Sequence, residues 1–244
     1  MKKICQNCNC LSSDATMCLQ CGSPIFGQDK QVLKALFKYS DPNFLQLPWC
    51  SPGRVIDVER KDLLNYVKES LAEINTCIEI GVGNSDHAIL IKNIVKPNKL
   101  YLLDAWGLSK TYNKLSNTDI KTFLHSYENT KKHFFNDENV IIIRGFSTRE
   151  VCIFENNFFD FIYIDADHTY DAVKEDLGCW FPKLKKGGII AGHDYCLKNV
   201  DQPNEYGVIK AVDEFRDTNK YIIKNFKAFG SGLKTCWLLE TKYF

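Results

Sequence analysis

Short apolar runs alternate with stretches in which apolar residues recur three and four positions apart. The runs are Thr76-Cys77-Ile78-Glu79-Ile80, Leu100-Tyr101-Leu102-Leu103, Val140-Ile141-Ile142-Ile143, Phe161-Ile162-Tyr163-Ile164 and Gly188-Ile189-Ile190-Ala191. Runs of this length bounded by turn residues predict strands buried on both faces. Around and between them, stripes predict helices: Leu63, Leu64, Val67, Leu71 and Ile74; Ile89, Leu90 and Ile94; Ile120, Phe123, Leu124 and Tyr127; Val173, Leu177, Trp180 and Phe181; Val208, Ala211, Val212 and Phe215. Lys185-Lys186-Gly187-Gly188 reads as the end of the fourth of these helices. Tyr221 to Phe229 and Leu233 to Glu240, joined at Gly230-Ser231-Gly232, read as a hairpin, so one of its strands must run against the rest. The pattern predicts an α/β fold with a mixed, doubly wound sheet.

Chemistry gathers where the strands end. The fourth run leads into Asp165-Ala166-Asp167-His168 and the fifth into Gly192-His193-Asp194-Tyr195. If these strands are parallel neighbours, Asp165, His168, His193 and Asp194 converge at the sheet edge where open α/β sheets bind ligands. Asp165 or Asp167 also suits a helix cap, and His168 an exposed first turn. The first run leads into Gly81-Val82-Gly83-Asn84-Ser85 and then a helix, an arrangement that lets a nucleotide-like ligand approach the backbone. The third glycine of a dinucleotide fingerprint falls at Asp86, whose carboxylate would repel a pyrophosphate, so NAD is disfavoured. Asp104 follows Gly81 by 23 residues, suiting either a ribose diol or a helix cap. A polar excursion from Trp106-Gly107 to about Asp137 is longer than a crossover needs and reads as a substrate cap. His87, His125 and His133 read as surface residues.

Composition adds a second domain. With 244 residues and 45% apolar content, the chain can bury one large core plus a small appendage. Five of the 11 cysteines fall in the first 21 residues, and two knuckles, Cys5-x-x-Cys8 and Cys18-x-x-Cys21, can present four thiolates tetrahedrally. This resembles a small zinc ribbon in residues 1–25, although the knuckles are closely spaced, Cys10 could replace Cys8, and disulfides or unliganded thiols are the alternative. Four cysteines leave no open position, so such a zinc would be structural. Residues 26–57, with Pro42, Pro48, Pro52 and Gly53, read as a linker or arm, and residues 58–244 as the main domain. The scattered cysteines and the lack of a long apolar stretch suggest a soluble, cytoplasmic protein. Formal net charge is +1 with no dense basic run, which argues against a nucleic-acid or membrane partner.

Taken together these residues resemble the class I S-adenosylmethionine-dependent methyltransferases over about residues 58–240. The likeness rests on Glu79-Ile-Gly81-Val-Gly83-Asn-Ser85, Asp104, Asp160 to Tyr170, Gly187 to Tyr195 and Gly207 to Phe215. It implies a seven-stranded Rossmann-like sheet with a reversed last strand, and S-adenosyl-L-methionine as cofactor. By the resemblance, Gly81 and Gly83 would face the methionine portion, Glu79 would orient the glycine loop and Asp104 would hold the ribose. Ser85, Ser147 and Asp165 would complete the cofactor contacts. Within the class, Asp165 with His193-Asp194 is similar to the divalent-metal site of catechol-type and macrocin-type O-methyltransferases, and His168 stands at the position of their proposed base.

The family carries an acid where this chain has His193. Imidazole suits Mn²⁺, Fe²⁺ or Zn²⁺ better than Mg²⁺, so Asp165, His193 and Asp194 imply either a different metal or His193 as a base. A cation holding two adjacent oxygens acidifies a hydroxyl, and a neutral imidazole can take its proton. The implied activity is O-methylation of a sugar or other vicinal diol on a small molecule or glycan. The ribbon would serve a homo-oligomer or a protein partner. The competing readings are a nucleic-acid methyltransferase guided by the ribbon, a non-catalytic cofactor-binding module and a nicotinamide oxidoreductase.

Overall fold

The computed structural model describes residues 58–108, 119–196, 207–231 and 234–242, with two short strands near the start of the chain. Those strands, β1 (Lys3–Ile4) and β2 (Leu11–Ser12), pair antiparallel. The chain divides into two compact units, Met1–Asp57 and Val58–Phe244. The knuckle cysteines, the arm, most of the expected cap's first half (109–118) and the loop 197–206 lie outside the described residues. No described helix is long and apolar enough to cross a membrane.

The second unit opens with α1 (Val58–Ser70), whose Leu63, Leu64 and Val67 are fully buried. The predicted stripe overshoots, because the helix ends before Leu71 and Ile74. Strands β3 (Thr76–Ile80), β4 (Lys99–Asp104), β5 (Val140–Arg144), β6 (Phe159–Ile164) and β7 (Leu184–Gly192) are parallel, with α2 (Asp86–Leu90) extended by a wide turn after β3. Helix α3 (Ile120–His133) follows β4, and the short α4 (Ser147–Glu150) follows β5. Helix α5 (Tyr170–Trp180) joins β6 to β7, and α6 (Val208–Thr218) precedes the hairpin of β8 (Ile223–Ser231) and β9 (Lys234–Thr241). The sheet order is β5-β4-β3-β6-β7-β9-β8, with β9 antiparallel to both neighbours. This is a seven-stranded, Rossmann-like mixed sheet with its last strand reversed, as expected.

Lys185 to Gly188 do not end a helix. Helix α5 stops at Trp180, a single turn holds Phe181–Lys183, and Leu184 already pairs with Phe159. A register shift opposite Phe159 and Phe161 takes up the extra residues, and the Gly187 N–H bonds to the Thr241 hydroxyl at 2.6 Å. Period alone cannot see such a bulge, since it is made by the partner strand. Beneath α5 the core packs Phe159, Leu177, Trp180 and Ile190, with Tyr101 edge-on to Phe154 and Phe158.

Two consequences of this topology place the site. The chain goes from β3 outward to β5 and then crosses back to β6 on the other side of β3, so the tips of β3 and β6 form the switch point where such sheets open a crevice. Helix α1 ends just before the start of β3, so it runs back along the sheet and its first turn, Val58 to Lys61, reaches the same tips.

Candidate active site

At the tip of β3 the chain makes a tight bend. Gly81 has φ +86°, its N–H bonds to the Leu103 carbonyl at 2.8 Å, and a Cβ there would lie 2.2 Å from the Asp165 carbonyl oxygen. Only glycine fits, because backbone from β6 already fills the place of a side chain. Gly83 also has positive φ, but a Cβ there would meet nothing within 4 Å, so the bend is open on that side.

Asp104 holds the bend in shape. One carboxylate oxygen accepts the N–H groups of Val82 and Gly83, both at 2.8 Å, and the other accepts the Trp106 N–H at 2.7 Å. A carboxylate offers about four acceptor positions, so one remains. Burial raises the Asp104 pKa despite these three donors. Trp106, fully buried, donates its indole N–H to the Gly83 carbonyl and packs on Tyr127 of α3. Ser85 is buried in a left-handed conformation, with its hydroxyl 2.6 Å from both the Asn84 carbonyl oxygen and His133 Nδ1. The expected cap therefore includes a helix that clamps the glycine bend, although its Ile120 and Leu124 are exposed.

Behind the bend, Glu79 bonds through one oxygen to His87 Nδ1 at 2.9 Å, and His87 packs on the Tyr163 ring. His87 is 2% exposed, so its reading as a surface residue is corrected: α2 turns it inward against Glu79. Burial pushes the Glu79 carboxyl well up and the His87 imidazole well down, so both groups shift toward their neutral forms. The second Glu79 oxygen is buried with no hydrogen-bond partner.

At the neighbouring tips, β6 and β7 bring charged side chains together. His168 Nε2 lies 3.2 Å from Asp165 Oδ1 and 3.2 Å from Asp194 Oδ2. A lone pair aimed at two carboxylates would be repelled, so Nε2 carries the proton unless a cation sits among them. Asp194 is 4% exposed and held at φ +56°, an uncommon conformation for a side-chain-bearing residue that is often tolerated at functional sites. Asp165 caps no helix. Asp167 accepts the Thr169 N–H at 2.9 Å in the turn before α5, whose N-cap makes no side-chain hydrogen bond.

Of the residues expected to share a cation, Asp165 and Asp194 do come together, and His168 is the imidazole between them. His193 takes a different place. Its Nδ1 bonds to Asp194 at 3.1 Å, and its Nε2 lies 3.8 Å from Glu59 of α1. Burial works against the charged form of His193, but the Asp194 and Glu59 carboxylates outweigh it and raise its pKa to about 9. Ser147, at the start of α4, lies near Asp176 of α5.

Two residues of the site escaped the sequence reading. Arg60 donates to Asp165 Oδ2 at 2.6 Å, with both side chains largely buried, and Glu59 lies beside His193. Both belong to the first turn of α1. The available signal was topological: a helix that immediately precedes the first strand of the sheet must start near that strand's far tip. A pocket of about 10 Å³ between Asp165, His168, His193, Val208 and Trp237 has room for a single water. A larger cleft, about 240 Å³, opens among Phe181, Lys186, Ile222 and Lys242 and includes none of the strand-tip residues of the site.

A family model described as "Methyltransferase domain" matches residues 66–195. The chain belongs to this methyltransferase-domain family. Three solved structures are similar to the methyltransferase chain in fold. A precorrin-6y C5,15-methyltransferase from Geobacter metallireducens has TM-score 0.53 and 14% identity, covering 79% of this chain and 93% of its own. An rRNA methylase from Clostridium thermocellum, described as putative, has TM-score 0.56 and 12% identity, covering 78% and 98%. The N-methyltransferase NodS from Bradyrhizobium japonicum has TM-score 0.54 and 10% identity, covering 76% and 96%. Comparison with curated protein sequences returns no match.

The chain is thus an S-adenosylmethionine-dependent methyltransferase, and its glycine bend suits that cofactor. Gly83 leaves open space beside the backbone, Asp104 keeps one acceptor position, and a buried Glu79 oxygen lacks a partner.

Proposed function

We propose that this methyltransferase transfers a methyl group to a hydroxyl of a small molecule, a sugar or other vicinal diol, with His168 as the base. The observation that carries this reading is the placement of His168 Nε2 at 3.2 Å from each of two carboxylates, beside the bend that suits the cofactor. Asp165 and Asp194 share the Nε2 proton and fix the ring. Nδ1 is then the nitrogen that receives the hydroxyl proton. Bound S-adenosylmethionine supplies an electrophilic methyl on a sulfonium. Gly81 and Gly83 give its methionine portion access to the backbone, Glu79 supports the bend from behind, and the remaining acceptor of Asp104 takes one ribose hydroxyl. A hydroxyl attacks a sulfonium in line, so orientation and proton removal are what the protein must supply.

Two carboxylate oxygens and one imidazole nitrogen lie within 4.8 Å of one another at Asp165, His168 and Asp194. Such a set fits Mn²⁺ or Fe²⁺ better than Mg²⁺. An ion held there would acidify a coordinated diol, but only with the Arg60 guanidinium displaced from Asp165. Cys5, Cys8, Cys18 and Cys21 would hold one structural zinc in the first unit.

The test is methyl transfer from labelled S-adenosylmethionine to a panel of sugars and catechols, with RNA and amine acceptors alongside. Transfer to a diol oxygen that is lost in His168→Ala is the expected result. Transfer confined to RNA or to nitrogen, or binding of S-adenosylhomocysteine with no transfer to any acceptor, would overturn the reading. Native mass spectrometry of the same preparation is expected to show one zinc per chain.

A further inference from the structure

The feature that the proposed reaction leaves unexplained is Arg60. It comes from α1, far from Asp165 in sequence, yet its Nη2 lies only 2.6 Å from Asp165 Oδ2. The two side chains are only 16% and 13% exposed, so their attraction is weakly screened by water. His168 takes the other Asp165 oxygen, so both oxygens face a donor from the protein. Asp194 Oδ2 is likewise approached by both His168 and His193.

We infer that Arg60 is the resident cation of this site. It is a positioning residue that neutralises Asp165, aims its free oxygen at His168, and keeps a divalent ion from binding among Asp165, His168 and Asp194. The inference rests on the proposed role of these three residues and adds how they are controlled. A divalent ion on Asp165 would sit about 2.0–2.6 Å from a carboxylate oxygen. There it would bring two positive charges beside a guanidinium that already occupies the other oxygen. Arginine cannot yield by losing its proton, since its pKa lies far above any working pH. The ion can enter only if the first turn of α1 moves away. Glu59, next in the chain, lies beside His193, so α1 meets both strand tips through adjacent residues of opposite charge. Wild-type chemistry therefore runs through His168 without a divalent ion. Asp165 and Asp194 serve here as an orienting pair of carboxylates.

The experiment is Mn²⁺ binding to the full-length protein without acceptor, read by the loss of the free-ion electron paramagnetic resonance signal. Wild type and Arg60→Lys are expected to show no Asp165-dependent binding below about 1 mM, the range of weak carboxylate sites. Arg60→Met and Arg60→Gln are expected to bind at least about tenfold tighter, and the added Asp165→Asn change to abolish that gain. S-adenosylhomocysteine binding identifies variants that are folded. Tight binding by wild type that Asp165→Asn removes would overturn the inference whether or not the Arg60 variants fold. So would folded Arg60→Met or Arg60→Gln proteins that bind Mn²⁺ no tighter than wild type, or a gain that survives Asp165→Asn. None of these readouts needs methyl transfer, so failure to methylate a diol and failure of the Arg60 inference are distinguishable.

Discussion

Asp104 and Asp165 end neighbouring halves of one sheet, both partly buried, and differ in what satisfies them. Asp104 is met by three backbone N–H groups, while Asp165 is met by a guanidinium and an imidazole. Burial raises the pKa of both. At Asp104 burial wins and the pKa ends above its ordinary value, whereas at Asp165 the His168 bond and the Arg60 charge win and it ends below. Backbone donors carry only partial charge and cannot move, so the Asp104 side is a rigid mould for the glycine bend. Full charges on side chains stabilise an ionised group more strongly and can rearrange, so the Asp165 side is where protons and ions are handled. A third acid, Asp176, is buried with one oxygen lacking a hydrogen-bond partner, and burial pushes its pKa up to about 7 despite the nearby Ser147 hydroxyl.

The largest expected effect comes from the charged side. His168→Ala should lower kcat by about 10²–10⁴-fold, the usual contribution of general-base catalysis. S-adenosylhomocysteine affinity should stay within a few-fold, as calorimetry would show. Equal losses in both would merge the two halves of the site into one structural unit.

Next, Gly81→Ala and Gly83→Ala separate mould from space. The first must displace the Asp165 backbone 2.2 Å away, so a loss of roughly 3 kcal/mol in denaturant titration is expected. The second meets no neighbour and should cost only the positive-φ strain, about 1 kcal/mol. Its methyl group should nevertheless weaken S-adenosylhomocysteine binding, because it enters the open side of the bend.

Asp104→Asn keeps one acceptor but turns an amide toward backbone donors. The expected cost is about 1–3 kcal/mol of stability, with weaker cofactor binding and unchanged acceptor KM. An unchanged thermal midpoint would show that the bend does not need the carboxylate.

The smallest effect is a pH dependence at Asp176. Its folded pKa of about 7 lies above the unfolded value of about 3.9, so between these limits the folded state holds a proton that unfolding releases. Its contribution makes stability fall as pH rises from about 4 to about 7, and the loss is complete above that. Asp176→Asn should flatten this part of the melting-temperature profile and raise the midpoint at pH 8. A wild-type profile already flat there would mean the carboxyl is better satisfied than one hydroxyl allows.

Much of this protein was written in local pattern. The glycine bend, Asp104, Asp165, His168 and Asp194 all lie within about six residues of a strand end, and apolar periodicity locates strand ends directly. The sequence also determined that one strand of the final hairpin is reversed, because two strands joined so closely in sequence must pair antiparallel. Tertiary structure decided what periodicity cannot encode. Which imidazole stands between the two carboxylates depended on the left-handed backbone at Asp194 and the path of the loop after β6. That loop brought in His168 and turned His193 toward α1. His87 faces inward because the bend rotates α2 onto Glu79, and Lys185 to Gly188 extend because β6 offers a bulge to pair with. Arg60 reaches Asp165 only because α1 packs against β8, β9 and the helical segment that follows β3. Contacts so distant in sequence arise from packing, and no local signal records them.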